Sequence, residues 1–221
     1  MRIHISKSYE NKRVFDALKL DVEEGEILCV LGASGSGKTT LLNAIAGLID
    51  YQGEIENPPK SVGYIFQEPR LIPNLSVREN LRYVGGMDEN IDEILQKIGL
   101  FERCGDRASK LSGGEKQRVA FARAFVVEKD AVLLDEPFSS LDTALKIRLM
   151  DVFAGLWKAK KKTAIFVTHD VEEACALAHR IVVLDKGEIV FDEKLQGEIP
   201  RKYGENSIVK GKLFQTVLAQ V

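Results

Sequence analysis

The chain has 221 residues, 45% of them apolar and 29% charged, with a formal charge of −2 at pH 7. That length and composition suit a globular protein able to bury a full core, and the balanced charge lacks the basic field that nucleic-acid binding uses. No apolar run approaches the roughly 20 residues that cross a bilayer, and Met1-Arg2-Ile3-His4-Ile5 reads as a strand rather than a signal peptide, so a cytosolic location is expected.

In chain order, Ile3–Ser6 and Val14–Val22 read as two early strands, with Tyr9 between them. An aromatic side chain ahead of a phosphate-binding loop can stack on a purine or pack on its own hairpin, and spacing alone leaves both readings open. Ile27-Leu28-Cys29-Val30-Leu31 is a buried-type strand. It enters Gly32-Ala33-Ser34-Gly35-Ser36-Gly37-Lys38-Thr39-Thr40, and the apolar periodicity from Leu41 onward predicts a helix. This is G-x-x-x-x-G-K-[ST] in strand–loop–helix context, the P-loop pattern. Glycines let successive N–H groups curl around a phosphate chain, and the helix N-terminus adds partial positive charge. Lys38 is expected to reach the β- and γ-phosphates, Thr39 to bind Mg²⁺ and Thr40 to support the α/β-phosphates.

Ile55 starts a further strand, and Val62–Phe66 is a short one ending at Gln67-Glu68-Pro69. From Leu71 to Arg107 the pattern is mostly helical, with periodic pieces at Val77–Val84 and Ile91–Ile98 and breaks at Pro73, Gly85-Gly86 and Gly99. Ser112-Gly113-Gly114 follows, ahead of a strongly apolar helix over Val119–Val127. It reads either as an ordinary N-cap with a flexible lead-in or as a second anion-binding helix start.

Ala131–Asp135 is another buried-type strand, ending in the paired acids Asp135-Glu136. One carboxylate there can hold Mg²⁺ while the next deprotonates an attacking water. A helix over Thr143–Lys158 ends in a basic run, Lys158-Ala159-Lys160-Lys161-Lys162, read as a solvated terminus favoured by the macrodipole. Thr163–Thr168 is a strand ending at His169, placed to reach a ligand phosphate, with a helix over Val171–Ala178 behind it. His4 and His179 have no such placement. Ile181–Leu184 and Glu188–Phe191 form a hairpin around Asp185-Lys186-Gly187, and a last helix is predicted over Ile208–Gln220. Cys29, Cys104 and Cys175 are too scattered for a metal site or a disulfide framework and read as plain thiols.

Taken in order, the P-loop, Gln67, Leu111-Ser112-Gly113-Gly114, Asp135-Glu136-Pro137, Ser140-Leu141-Asp142 and His169 compose one pattern. The chain resembles the nucleotide-binding subunit of ATP-binding cassette (ABC) transporters over its whole length. The resemblance implies an α/β fold: a P-loop NTPase (RecA-like) core with an antiparallel β subdomain and an inserted helical subdomain. It divides the single ATPase domain into core with β subdomain (1–70 and 119–195), helical insert with signature (71–118) and C-terminal tail (196–221).

The resemblance also implies roles. Tyr9 stacks on adenine. Gly32, Ser34, Gly35, Ser36, Gly37, Lys38, Thr39 and Thr40 hold the triphosphate of ATP, while Thr39, Gln67 and Asp135 hold Mg²⁺. Glu136 is the general base, and His169 contacts the γ-phosphate. Ser112, Gly113 and Gly114 contact ATP bound by a second copy, in a head-to-tail dimer with Asp142 at its interface. Glu115 departs from the glutamine usual after the second glycine.

Gln67-Glu68-Pro69-Arg70-Leu71-Ile72-Pro73 and Val167-Thr168-His169-Asp170 look like the nitrate/sulfonate/taurine import group, which includes importers of thiamine precursors. The implied role is energising a membrane importer at the cytoplasmic face of the membrane. Permease subunits would dock after Gln67, and an extracytoplasmic substrate-binding protein would act indirectly. Efflux or lipoprotein release is the alternative reading. A soluble ABC ATPase acting on nucleic acid or ribosomes is disfavoured by the balanced charge and the single cassette, and a GTPase by the lack of N-K-x-D. No C-terminal regulatory domain is expected.

Overall fold

The computed structural model describes all residues except Asn11, Ser140, 205–207 and 219–221. Two sheets and seven α-helices organise them. The central sheet has six strands: β3 (Ile27–Leu31), β5 (Val62–Ile65), β6 (Ala131–Asp135), β7 (Thr163–Thr168), β8 (Arg180–Asp185) and β9 (Glu188–Lys194). Their spatial order is β5-β6-β7-β3-β8-β9, all parallel except β9, which closes antiparallel on β8. Every residue of β3 and β6 is buried. A parallel sheet covered on both faces demands such continuous apolar runs.

Side chains alternate across this sheet as the pleat requires. Ile27, Cys29 and Leu31 of β3 enter one apolar cluster, whereas Leu28 and Val30 enter the other. The first cluster takes up the helices α2 (Val77–Tyr83), α3 (Asp88–Lys97), α4 (Gly113–Phe125), α5 (Thr143–Lys160) and α6 (Val171–Leu177). The second joins helix α1 (Lys38–Ile45) to a three-stranded antiparallel sheet, ordered β2 (Lys12–Asp21), β1 (Arg2–Tyr9), β4 (Gln52–Glu56). Because β3, β5, β6, β7 and β8 run parallel, their C-terminal ends share one edge, where ligands of open α/β sheets bind.

The predicted elements are present, with shifts at their ends. The helix expected at Val119–Val127 runs Gly113–Phe125. It starts early because the Ser112 hydroxyl accepts from the Glu115 N–H (3.3 Å) while the Glu115 carboxylate accepts from the Ser112 N–H (2.9 Å), a reciprocal cap. The stretch from Leu71 to Leu75, expected within a mostly helical block, is irregular. Buried Asn80 stitches it in place, accepting from the Ile72 N–H (2.9 Å) and donating to the Ile72 carbonyl (3.1 Å). The turn at Lys186-Gly187 has both residues at positive φ (45° and 86°), the backbone a two-residue hairpin needs. Helix α7 covers Ile208–Leu218, and the rest of its predicted span lies outside the described residues. The three cysteines are free.

Candidate active site

Helix α1 begins at Lys38, directly after Gly37 in the left-handed region (φ 109°), and no side chain caps it. Its first N–H groups therefore point outward without intrahelical partners. Two glycines are dictated by space here. A Cβ on Gly32 would lie 2.3 Å from the Leu184 carbonyl oxygen, and one on Gly37 would lie 2.7 Å from the Phe15 ring. Lys38 folds back into the loop, its Nζ donating to the carbonyls of Gly32 (2.7 Å) and Ala33 (2.9 Å). Burial holds its pKa below the ordinary lysine value, against the pull of Glu136 and Asp135. The Ser36 hydroxyl is buried with no hydrogen-bond partner among the described residues. An uncapped helix start, a buried ammonium and an orphaned hydroxyl in one loop fit a bound polyphosphate.

The neighbouring strand ends supply the polar groups. The Thr39 hydroxyl donates to Asp135 Oδ1 at 3.2 Å. Burial raises the Asp135 pKa, and the Thr39 bond pulls it back only in part. A hydroxyl, a carboxylate and the nearby Gln67 amide suit a hard cation such as Mg²⁺, which completes its shell with water and substrate phosphates. Glu136 adopts φ 46°, and its N–H donates to the Val167 carbonyl (3.0 Å). A left-handed non-glycine residue costs about 1 kcal/mol. This twist accompanies a carboxylate whose Oε2 lies 3.4 Å from Gln67 Nε2 and 3.4 Å from His169 Nδ1.

Of these groups Thr39, Gln67 and Glu136 line a cavity of about 330 Å³, together with Tyr9, Ser34, Gly35, Gly37, Lys38 and Thr40, while Gly32, Ser36, Asp135 and His169 are not among its lining residues. Tyr9 is half-exposed at its mouth, its ring 4.8 Å from the Lys7 ammonium. Lys12 and Val14 also line it, and sequence reading missed both. Their signal was the hairpin itself, since Lys12 pairs with Tyr9 across the β1–β2 turn. Ser112, Gly113 and Gly114 do not line this cavity. They open α4, and a Cβ on Gly114 would touch Leu141 (3.5 Å) and Leu145 (3.6 Å) instead. Ser140 lies outside the described residues, and Asp142 caps α5 by accepting from the Leu145 N–H (3.0 Å). His179 is structural: its Nδ1 accepts from the Ile27 N–H (3.0 Å), and its ring packs on Trp157 at 4.6 Å.

Comparison with known proteins agrees with this geometry. Residues 15–139 match the ABC transporter family. The aliphatic sulfonates import ATP-binding protein SsuB 1 of Agrobacterium fabrum is 41% identical over 99% of this chain and 82% of its own length. SsuB 2 of Rhodococcus jostii is 42% identical over 96% of this chain and 88% of its own. A solved dimeric post-hydrolysis structure of the cassette MJ0796, bound to ADP and Pi, superposes with a TM-score of 0.79 at 30% identity, covering 89% of this chain and 98% of that one. Family match, relatives and the P-loop edge of the sheet agree, and this chain belongs to the ABC transporter family as one of its ATP-hydrolysing domains.

Proposed function

We propose that the chain energises import of a small organic sulfonate, working as a head-to-tail dimer with two ATP molecules held between its subunits. The observation that carries the chemistry is the placement of Glu136 Oε2, 3.4 Å from both Gln67 and His169, beside the P-loop. The α1 N-terminus, Lys38 and Ser34 through Thr40 bind the triphosphate, and Tyr9 stacks on the base. Thr39, Asp135 and Gln67 hold Mg²⁺, which when bound neutralises charge on the β- and γ-phosphates. Glu136 accepts the proton of the attacking water, and His169 orients that water and the γ-phosphate. Ser112, Gly113 and Gly114, which stay away from the chain's own cavity, complete the site of the second copy.

The sulfonate reading rests on relatives at about 40% identity that are aliphatic sulfonates import ATP-binding proteins. Permease subunits dock on the segment after Gln67, where Tyr83 and Met87 are 70% and 67% exposed. The helical insert, 71–118, is the part that meets them, carried by the core of 1–70 and 119–195. No helix among the described residues is long and apolar enough to cross a membrane. The import role of its relatives supports reading the chain as a peripheral subunit that acts at the cytoplasmic face.

The test is ATP turnover by the purified chain beside Glu136→Gln, with size-exclusion elution recorded in ATP. We expect turnover to fall about 10²- to 10⁴-fold, the range for losing a general base, while the variant elutes as an ATP-dependent dimer. Turnover within tenfold of wild type would show that Glu136 is not the base. Uptake of a labelled alkanesulfonate by the native host tests the cargo, and uptake unchanged by Glu136→Gln would reject it.

A further inference from the structure

Outside the groups already described, a cluster of three charged side chains, Glu173 buried and Lys146 and Asp170 half-buried, sits directly behind His169. Helix α6 follows His169, and Asp170 caps it, its Oδ1 accepting from the N–H groups of Glu172 (2.8 Å) and Glu173 (3.4 Å). The Thr168 hydroxyl accepts from the Asp170 N–H (3.0 Å) and donates to Glu173 Oε2 (2.6 Å). The residues on either side of His169 are therefore joined to each other and to α6. A single ammonium completes the cluster. Lys146 Nζ lies 2.8 Å from Asp170 Oδ2 and 2.6 Å from Glu173 Oε1. The Lys146 side chain is 13% exposed and that of Glu173 2%. Charges this dry stay in place only when paired and hydrogen-bonded, so the geometry is stiff.

Lys146 belongs to a different structural unit from His169. It stands in the first turn of α5, where its own N–H donates to the Asp142 carbonyl (2.8 Å). That turn ends the loop beginning at Glu136, whose far side is pinned by buried Gln117 donating to the Pro137 carbonyl (3.1 Å). Two loops thus approach the same reacting position, one carrying the Glu136 carboxylate and one the His169 imidazole. Besides the Glu136 N–H to Val167 carbonyl bond near the strand ends and the 3.4 Å approach of His169 Nδ1 to Glu136 Oε2, the Lys146 ion pairs bridge them. The Lys146 pKa is raised by its two carboxylates against the opposing effect of burial, so the ammonium stays charged.

We propose that Lys146 is a positioning residue for hydrolysis: clamped to Asp170 and Glu173, it locks the His169 loop to the Glu136 loop and holds the imidazole at the carboxylate. The proposal rests on the ATPase reading above and adds a residue that touches neither nucleotide nor water. A merely structural lysine would lower stability or expression without acting through His169, and the test separates these cases.

Steady-state ATP turnover is measured for the full chain as wild type, Lys146→Met, His169→Ala and the double variant. Misplacing a catalytic group by about 1 Å costs up to about 100-fold. We expect Lys146→Met to lower kcat 10- to 100-fold with KM for ATP changed less than about twofold. In the His169→Ala background the same substitution should cost less than about twofold, because the group it positions is gone. Thr168→Val removes the hydroxyl of the same cluster while leaving its charges paired. It should show the same non-additivity, which keeps the test decisive where Lys146→Met folds poorly. Equal kcat losses in both backgrounds, or an unchanged kcat in Lys146→Met, overturn the clamp and leave the ATPase reading standing. A His169→Ala variant as active as wild type overturns the clamp and the role given to His169, whereas a wild type without ATP turnover overturns the ATPase reading itself.

Discussion

Glu115 offers a quantitative test of how the signature segment is built. Its carboxylate closes the reciprocal cap with Ser112 and pairs with Arg103, which also donates from Nε to Asp106 (2.7 Å). Glu115→Gln retains an oxygen for the Ser112 N–H and so retains the cap. It loses a negative charge at a helix N-terminus, worth about 0.3–1 kcal/mol. It also loses a pair whose arginine side chain is 39% exposed, so solvent screens most of that attraction. The expected cost is about 1 kcal/mol, or about 2–4 °C in Tm for a chain of this size. Glu115→Ala also loses the cap bond, a further ~1 kcal/mol, for about 4–8 °C in total.

Salt separates the two contributions. In 1 M NaCl the Debye length falls to about 3 Å, so the Glu115→Gln deficit should at least halve while the gap to Glu115→Ala persists. The pH dependence has a definite sign. The backbone N–H of Ser112, followed by Arg103, holds the Glu115 carboxyl below its ordinary value. Its contribution is therefore present above the unfolded pKa of about 4.3 and fades as pH falls through the lower folded value. Scanning calorimetry at two salt concentrations and two pH values measures all of this. A Glu115→Ala protein melting with the wild type, or a Glu115→Gln protein as unstable as Glu115→Ala at every salt concentration, would refute the reasoning.

Two other expectations concern the nucleotide edge. Asp135 has its folded pKa raised by burial, so its contribution is greatest below the unfolded value of about 3.9 and is lost as pH rises through the folded one. Asp135→Asn should therefore melt above the wild type at pH 7 without nucleotide, the advantage vanishing near pH 3, while Mg²⁺-dependent ATP binding is lost. A variant less stable than wild type at pH 7 contradicts this. Gly32→Ala drives a methyl to 2.3 Å from a backbone oxygen of β8 and should cost about 1–3 kcal/mol with ATP affinity down at least about tenfold. Gly35→Ala meets no atom within 4 Å and should cost only its left-handed backbone, about 1 kcal/mol. Chemical unfolding of the pair checks the contrast, and equal costs would reject it.

Much of this protein was legible without coordinates, because its chemistry is written in short segments. Ile27–Leu31 followed by a glycine loop and Lys38 is a strand, an anion cradle and a helix start wherever it folds. Asp135-Glu136 and His169 could be assigned to strand ends from apolar runs alone. The local pattern erred where a cap or an irregular turn decided the boundary. Ser112 and Glu115 start α4 well before its apolar face does, and Asn80 holds Leu71–Leu75 out of helix.

What only the tertiary structure decided is which strand ends stand together. β6 pairs with β7, and β7 with β3, through hydrogen bonds between segments far apart in sequence. That order alone brings Asp135 to Thr39 and Glu136 to both Gln67 and His169. It also decides that Lys12 lines the cavity, that Ser112-Gly113-Gly114 does not, and that Lys146 reaches behind His169. Periodicity records which face of a segment is buried; strand order is set by long-range pairing and by packing on both faces of the sheet, which no local pattern encodes.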